Sequence, residues 1–171
     1  MSSQNILLTG GLLLFLLGVG YGLVYDGLIM PENHRAMVYS LDMALNMAAK
    51  GDLTMASAFA GQYGDESFSR DIGVRIPLHL ALAGAMTTLP LWIAVELDIS
   101  ERMKRTLALF MVGGGLLMAL GDFLRIGLRP AVGYYLVMAG YGWLFLGLAG
   151  YLLYAVLDIW LREDRRRQKR G

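Results

Sequence analysis

The stretch IPLHLALAGAMTTLPLWIAVEL, residues 76–97, decides the fold of this chain. It has no ionisable side chain between His79 and Glu96. An apolar run of this length matches the roughly 30 Å hydrocarbon core of a bilayer, so it is typical of a transmembrane helix. The run is also continuous, whereas the strands of a membrane barrel alternate apolar and polar residues. We therefore predict a helix that spans a membrane.

Three further apolar stretches share these properties and cover about residues 6–25, 106–126 and 131–160. Of the 171 residues, 56% are hydrophobic and only 17% are charged, which is too few charges for the surface of a soluble domain of this size. The sequence thus predicts an all-α fold in which residues 1–171 form one membrane domain. This domain is an integral membrane four-helix bundle, and its surrounding partner is the lipid bilayer.

Residues 31–75, between the first and second spans, are far more polar. Pro31 is expected to end the first helix, because proline lacks the N–H group that a helix interior uses. Beyond it, apolar side chains recur at helical spacing at Met37, Leu41, Ala44, Leu45 and Ala48. Residues 50–52 are typical of a helix end followed by an N-cap, and a second short helix is expected over 53–63. The segment predicts an amphipathic, extracytoplasmic helical hairpin lying on the outer membrane surface.

The basic residues predict the orientation. Four spans place both termini on one side, together with nine basic side chains: three in the loop between the second and third spans, and six in the tail, residues 162–171. The opposite side holds the other six. The positive-inside rule then puts both termini in the cytoplasm, with the protein in the inner (cytoplasmic) membrane. We interpret the basic tail as a contact to anionic lipid, and expect no nucleic-acid partner.

Small residues recur along the spans. The spacing is four residues at Gly18 and Gly22 and seven at Gly114 and Gly121, and the fourth span repeats it at Gly133, Gly140 and Gly147. Small residues allow helices to approach closely in lipid. Two interpretations are open: packing inside the bundle, or a stripe that serves subunit contacts or leaves room for a flat cofactor.

Few ionisable groups lie within or at the ends of the spans, and insertion scales assign each a cost of roughly 2.5–3.5 kcal/mol. The predicted topology places Asp26, His79, Asp122 and Arg125 near the outer face. The others lie at the opposite, cytoplasmic boundary and are Glu96, Asp98 and Asp158. Asp122 and Arg125 are one helical turn apart and can pair. A satisfied pair, or side chains that snorkel to the interface, is the structural explanation.

Histidine 79 has a second interpretation. A neutral imidazole facing a protein interior is a suitable ligand for a haem iron or a metal ion. A second imidazole would have to come from His34 in the hairpin or from another subunit. The chain has no cysteine, which excludes thiolate metal sites and iron–sulfur clusters.

The second span opens with the segment Arg75-Ile-Pro-Leu-His79 and contains a proline at position 90. The third span is rich in glycine and ends in Gly121-Asp122. This layout resembles the small four-span, haem-b-containing membrane proteins typified by styrene oxide isomerase. The resemblance implies that His79 ligates haem iron and that ferric haem acts as a Lewis acid on an epoxide oxygen. This chain departs from the family at residues 83–85, Ala-Gly-Ala in place of an asparagine-glycine pair, and at Phe123, the nearest aromatic where a tyrosine is expected.

Two functions follow as hypotheses. In the first, the chain binds haem b through His79, Asp122 and Arg125 balance propionate or substrate charge, and the role is redox or Lewis-acid chemistry. In the second, the chain is a non-catalytic structural or assembly subunit, joined to copies of itself or to other membrane subunits. A transporter is disfavoured because no inverted repeat is visible. No catalytic residue is assigned.

Overall fold

The computed structural model of the chain describes residues 2–127 and 130–168. Its elements, in chain order, are α1 (Ser3–Val24), a π-helical segment (Tyr25–Ile29), α2 (Met30–Ala49), α3 (Leu53–Thr88), α4 (Leu91–Glu96), α5 (Glu101–Gly127) and α6 (Pro130–Gln168). No strand occurs in these residues, so the predicted all-α fold is confirmed. The basic tail, residues 162–171, is described only as far as the backbone of Gln168.

Four helical stretches in the described chain are long and apolar enough to cross a membrane. They are Ser3–Ala49, Leu53–Glu96, Glu101–Ile126 and Pro130–Leu161. Each contains one of the four spans predicted from the sequence. Two of the stretches continue well beyond those spans, because α1 leads through the π-helical segment into α2, and α3 includes residues 53–75 of the polar region.

The prediction that Pro31 ends the first helix is wrong. Pro31 lies in the first turn of α2, and the turn before it is widened so that the Met30 N–H donates to the Tyr25 carbonyl, five residues back. This π-helical turn lets the helix continue past Pro31, which has no N–H group to donate to the preceding turn. It also holds the buried Tyr25 ring against α3, where the Tyr25 hydroxyl donates to the Arg70 carbonyl at 3.1 Å. The glycine at position 73 leaves space for this ring.

The predicted turn at residues 50–52 is confirmed. Gly51 has a φ of +83°, a conformation that glycine adopts without steric cost, and the Asp52 carboxylate accepts a hydrogen bond from the Met55 N–H. The predicted end of the next helix near residue 63 is wrong, since α3 runs to Thr88. Polar contacts pair α2 with α3, where Ser40 donates to a Glu66 carboxylate oxygen at 3.1 Å. Residues 31–75 are therefore mostly the ends of two long, paired helices. That they lie outside a membrane stays a prediction.

The glycines on the spans pack helix against helix inside the chain. A Cβ at Gly114 would lie 2.7 Å from the Gly140 carbonyl oxygen, and one at Gly121 would lie 2.7 Å from that of Gly133. Similarly, a Cβ at Gly18 would lie 2.8 Å from the Pro77 carbonyl oxygen on α3. These stripes are thus used for packing within the bundle, which was the simpler of the two interpretations.

The packing order of the helices leaves one side of the bundle open. Helix α3 packs against α1, α2 and α5, whereas α6 packs chiefly along α5 and scarcely contacts α3. A cluster of buried apolar side chains joins α1, α3, α5 and α6 at Leu14, Ile76, Leu80, Ala83, Ala119 and Leu144. A groove remains between α3 and α6, with α5 behind it.

The close approach of α5 and α6 makes a stability prediction. Gly140→Ala is expected to destabilise the protein by about 1–3 kcal/mol through overpacking, because its Cβ would meet the backbone of α5. Gly142→Ala is the matched control on the same helix, since no atom of a neighbouring helix lies within 4 Å of its Cβ. Both variants gain the same helix propensity, about 1 kcal/mol. Thermal unfolding in detergent checks the difference, and equal melting temperatures would contradict the described α5–α6 interface.

Candidate functional site

Three residues singled out from the sequence form one polar network. The Nδ1 atom of His79 on α3 lies 2.7 Å from an Asp122 carboxylate oxygen on α5. The other carboxylate oxygen accepts from Nη1 of Arg125 at 3.4 Å, so the predicted pairing of Asp122 with Arg125 is confirmed. The Asp122 side chain has no exposed surface, while those of His79 and Arg125 are 12% and 18% exposed. The network is inside the protein.

Local sequence places the carboxylate in this interior. Asp122 follows Gly121, the residue at which α5 lies close to the backbone of α6. A buried ionised carboxylate is costly unless it is paired and hydrogen-bonded, and here both oxygens have a partner. None of the described buried side-chain nitrogen or oxygen atoms lacks a hydrogen-bond partner. Every buried polar atom of the network therefore has a hydrogen-bond partner.

Arg125 extends the network towards the paired ends of α2 and α3. Its guanidinium carbon lies 5.7 Å from the centroid of the Phe68 ring on α3, within the range of a cation–π contact. The positive charge is thus placed between an anionic carboxylate and an aromatic face. This position holds α5 to the polar half of α3.

Sequence reasoning missed the fourth member, Tyr141 on α6. Its hydroxyl oxygen lies 2.8 Å from Nε2 of His79, and the two rings meet edge to face, with centroids 5.5 Å apart. The available signal was indirect, because Tyr141 follows Gly140 and so lies at the border of the face that packs on α5. The seven-residue glycine repeat identifies the face of α6 that packs closely on another helix. It does not show that Tyr141, at the border of this face, lies beside His79 of α3.

For a neutral imidazole beside an ionised Asp122, the hydrogen bonds define the tautomer of His79. A carboxylate only accepts, so Nδ1 carries the proton in its bond to Asp122. In the neutral imidazole Nε2 then has the lone pair, and the Tyr141 hydroxyl donates to it. The carboxylate fixes both the tautomer and the orientation of the ring. Nε2 is consequently the nitrogen that can act as a ligand or as a base.

The groove between α3 and α6 has His79 and Tyr141 at one end. It has a volume of about 500 Å³ and is lined by His79 and Tyr141 together with apolar side chains, among them Leu82, Met86 and Phe145. Met118 of α5 contributes to its floor. The two helices run in the same direction along the groove, from His79 to Met86 and from Tyr141 to Leu148. One end is therefore polar and the rest is apolar.

Two residues considered with this site lie elsewhere. His34 is exposed on α2, and it is not a partner of His79, whose two nitrogens contact Asp122 and Tyr141. Asp26 is exposed in the π-helical segment. Within the described residues, no group of three or more His, Asp or Glu side chains is arranged to hold a metal ion. Ligation by His79 and His34 together stays a prediction.

The arrangement suits a particular chemistry. Histidines that ligate metals commonly donate their other ring N–H to a carboxylate, which orients the ring and raises its basicity. Here Asp122 occupies that position beside His79, and His79 lines an apolar groove. Comparison with known proteins adds no constraint, since no family model, curated protein or solved structure matches this chain.

Proposed function

We propose that this chain is an integral membrane protein that binds haem b, whose iron would be held by Nε2 of His79. The observation that carries the proposal is the buried hydrogen bond of 2.7 Å between Asp122 and Nδ1 of His79. It leaves Nε2 as the basic nitrogen, at the end of an apolar groove of about 500 Å³. An isolated aqueous cation gains little from such a groove, whereas a large apolar macrocycle gains burial along its length.

The lining of the groove, together with one cation of the polar network that lies outside this lining, fits the two chemical halves of haem b. The apolar side chains Leu82, Met86 and Phe145 suit the macrocycle. The anionic propionates require a cation, and Arg125 is the partly exposed guanidinium nearest in the network, with N–H groups beyond the one used by Asp122. When bound, the cofactor would supply one-electron redox or Lewis-acid chemistry.

Each protein group then has a stated role. Asp122 keeps the proton on Nδ1 and so keeps the lone pair on Nε2. The apolar lining of the groove lowers the local dielectric constant beside His79, which strengthens electrostatic interactions at the site. Arg125 offsets the negative charge of Asp122 and of an incoming anionic group.

We place the protein in the inner (cytoplasmic) membrane with both termini in the cytoplasm. This orientation is supported by nine basic side chains in the loop between the second and third spans and in the tail, against six on the other side. The helix Ser3–Ala49 has 47 residues and is about 70 Å long at 1.5 Å per residue, more than twice the thickness of the hydrocarbon core. The paired ends of α2 and α3 would therefore project from the outer surface, instead of lying on it as the sequence alone suggests, with the polar network near their base.

An assembly subunit is the second candidate. The glycine stripes no longer favour it, because they are used inside the bundle. It is favoured instead by Val38, Leu41 and Leu45, which are exposed apolar side chains at helical spacing on α2. Contacts with copies of this chain or with other membrane subunits at this face would give the chain a structural role.

The haem proposal predicts a spectrum. Protein purified in detergent after expression with haem available is expected to show a Soret band, and His79→Ala is expected to lose it. His34→Ala is the matched control, because it removes the other histidine and should keep the band. A colourless wild-type protein that copurifies with other membrane subunits would reject haem binding and favour the assembly role.

The orientation predicts labelling of introduced cysteines, which is clean because the natural chain has none. Asn46→Cys, exposed near the end of α2, should react with a membrane-impermeant maleimide in intact cells. Asp98→Cys, exposed between α4 and α5, should react only after the cells are opened. The reverse pattern would overturn the assigned orientation.

A further inference from the structure

The two hydrogen bonds of His79 differ in how easily they can be exchanged. Asp122 has no exposed surface and is also held by Arg125, so it cannot leave Nδ1 without disturbing the bundle. Tyr141 is 44% exposed and lies at the side of the groove. Its hydroxyl can leave Nε2 by a movement of the side chain or of α6. The bond to Asp122 is therefore fixed, and the bond to Tyr141 is exchangeable.

We infer that Tyr141 is a specificity-determining residue, whose hydroxyl caps Nε2 of His79 until a ligand that fills the groove displaces it. Any group that binds Nε2 has to replace the Tyr141 hydrogen bond, since both use the same lone pair. The inference rests on the proposed function only for the identity of that ligand.

The packing of α6 supports this role. Helix α6 lies along α5 and scarcely contacts α3. Among the described side chains, the bond between His79 and Tyr141 is the one hydrogen bond that joins α3 to α6. Its loss would free the α6 side of the groove while the glycine contacts with α5 remain. The hydroxyl thus acts on the width of the groove as well as on access to Nε2.

The cap discriminates between ligand classes. A small hydrated cation would gain a single nitrogen ligand and would lose the rest of its water shell in an apolar groove, with no three-residue ligand group among the described residues. A large, flat, apolar ligand would gain burial against Leu82, Met86 and Phe145 while it replaces the hydroxyl. Tyr141 therefore favours a ligand that reaches the groove from the bilayer over one that arrives from water.

The test uses the haem-free protein. His34→Gln leaves His79 as the single histidine, and diethyl pyrocarbonate acylates the free lone pair of a neutral imidazole. In this background, Tyr141→Phe should raise the acylation rate of His79 about fivefold, the factor that corresponds to the loss of one hydrogen bond. Mass spectrometry of the peptide that contains His79 separates this reaction from reactions at other side chains. Tyr135→Phe is the matched control, because this tyrosine of α6 is 72% exposed and should leave the rate unchanged.

A second measurement follows the groove itself. Spin labels on Leu82→Cys and Phe145→Cys, on opposite sides of the groove, report its width by pulsed electron resonance. Tyr141→Phe should lengthen or broaden this distance, and Tyr135→Phe should not. An acylation rate and a distance distribution that both stay unchanged in Tyr141→Phe would overturn the inference.

Haem titration separates this inference from the proposed function. Tyr141→Phe should bind haem about fivefold more tightly than the wild type, because no hydroxyl competes for Nε2. If neither protein binds haem but acylation still rises, the cap is supported and the haem proposal fails. If both bind haem equally and acylation is unchanged, the haem proposal is supported and the cap fails.

Discussion

A carboxylate that solvent does not reach constrains the arrangement of the helices around it. Asp122 is fully buried in α5, and an ionised carboxylate in such a place needs partners on both oxygens. It obtains them from His79 on α3 and from Arg125 one turn further along α5. Through His79 the same network reaches Tyr141 on α6. One buried carboxyl group thereby links the three helices that surround the groove.

Glycine packing makes this linkage possible and also leaves the groove open. At Gly114, Gly121, Gly133 and Gly140 the backbones of α5 and α6 lie too close for a side chain, so α6 follows α5 along its length. Because α6 follows α5, it does not close over α3. The resulting groove has apolar walls and the imidazole of His79 at one end. The hydrogen bond between Nδ1 and Asp122, on the other side of the ring, leaves the lone pair of the neutral imidazole on Nε2. This combination is the physical basis of the haem proposal.

The features that were predictable from the sequence are local or periodic. The four apolar helices follow from run length, the turn at Gly51 and Asp52 from its residue types, and the pairing of Asp122 with Arg125 from a spacing of one turn. An interior position for His79 follows from the apolar residues after it. Each of these depends on residues that are near one another in the chain.

The features that were missed depend on contacts between distant segments. The helix continues through Pro31 because a widened turn places Tyr25 against Arg70 and Gly73 of α3, and no local pattern in α1 shows that contact. Tyr141 was missed for a similar reason, since a glycine repeat gives the packed face of α6 but not its rotation relative to α3. Periodicity identifies faces, and the pairing of those faces is decided by the whole bundle.

The central claim is that the buried carboxylate of Asp122 and the imidazole of His79 hold each other in place. A double-mutant cycle with Asp122→Ala, His79→Ala and the double variant measures this directly, by reversible unfolding in mixed detergent micelles. Each single variant leaves a buried polar group without its partner, so we expect a coupling free energy of about 1–3 kcal/mol. Additive effects, with a coupling free energy near zero, would contradict the account.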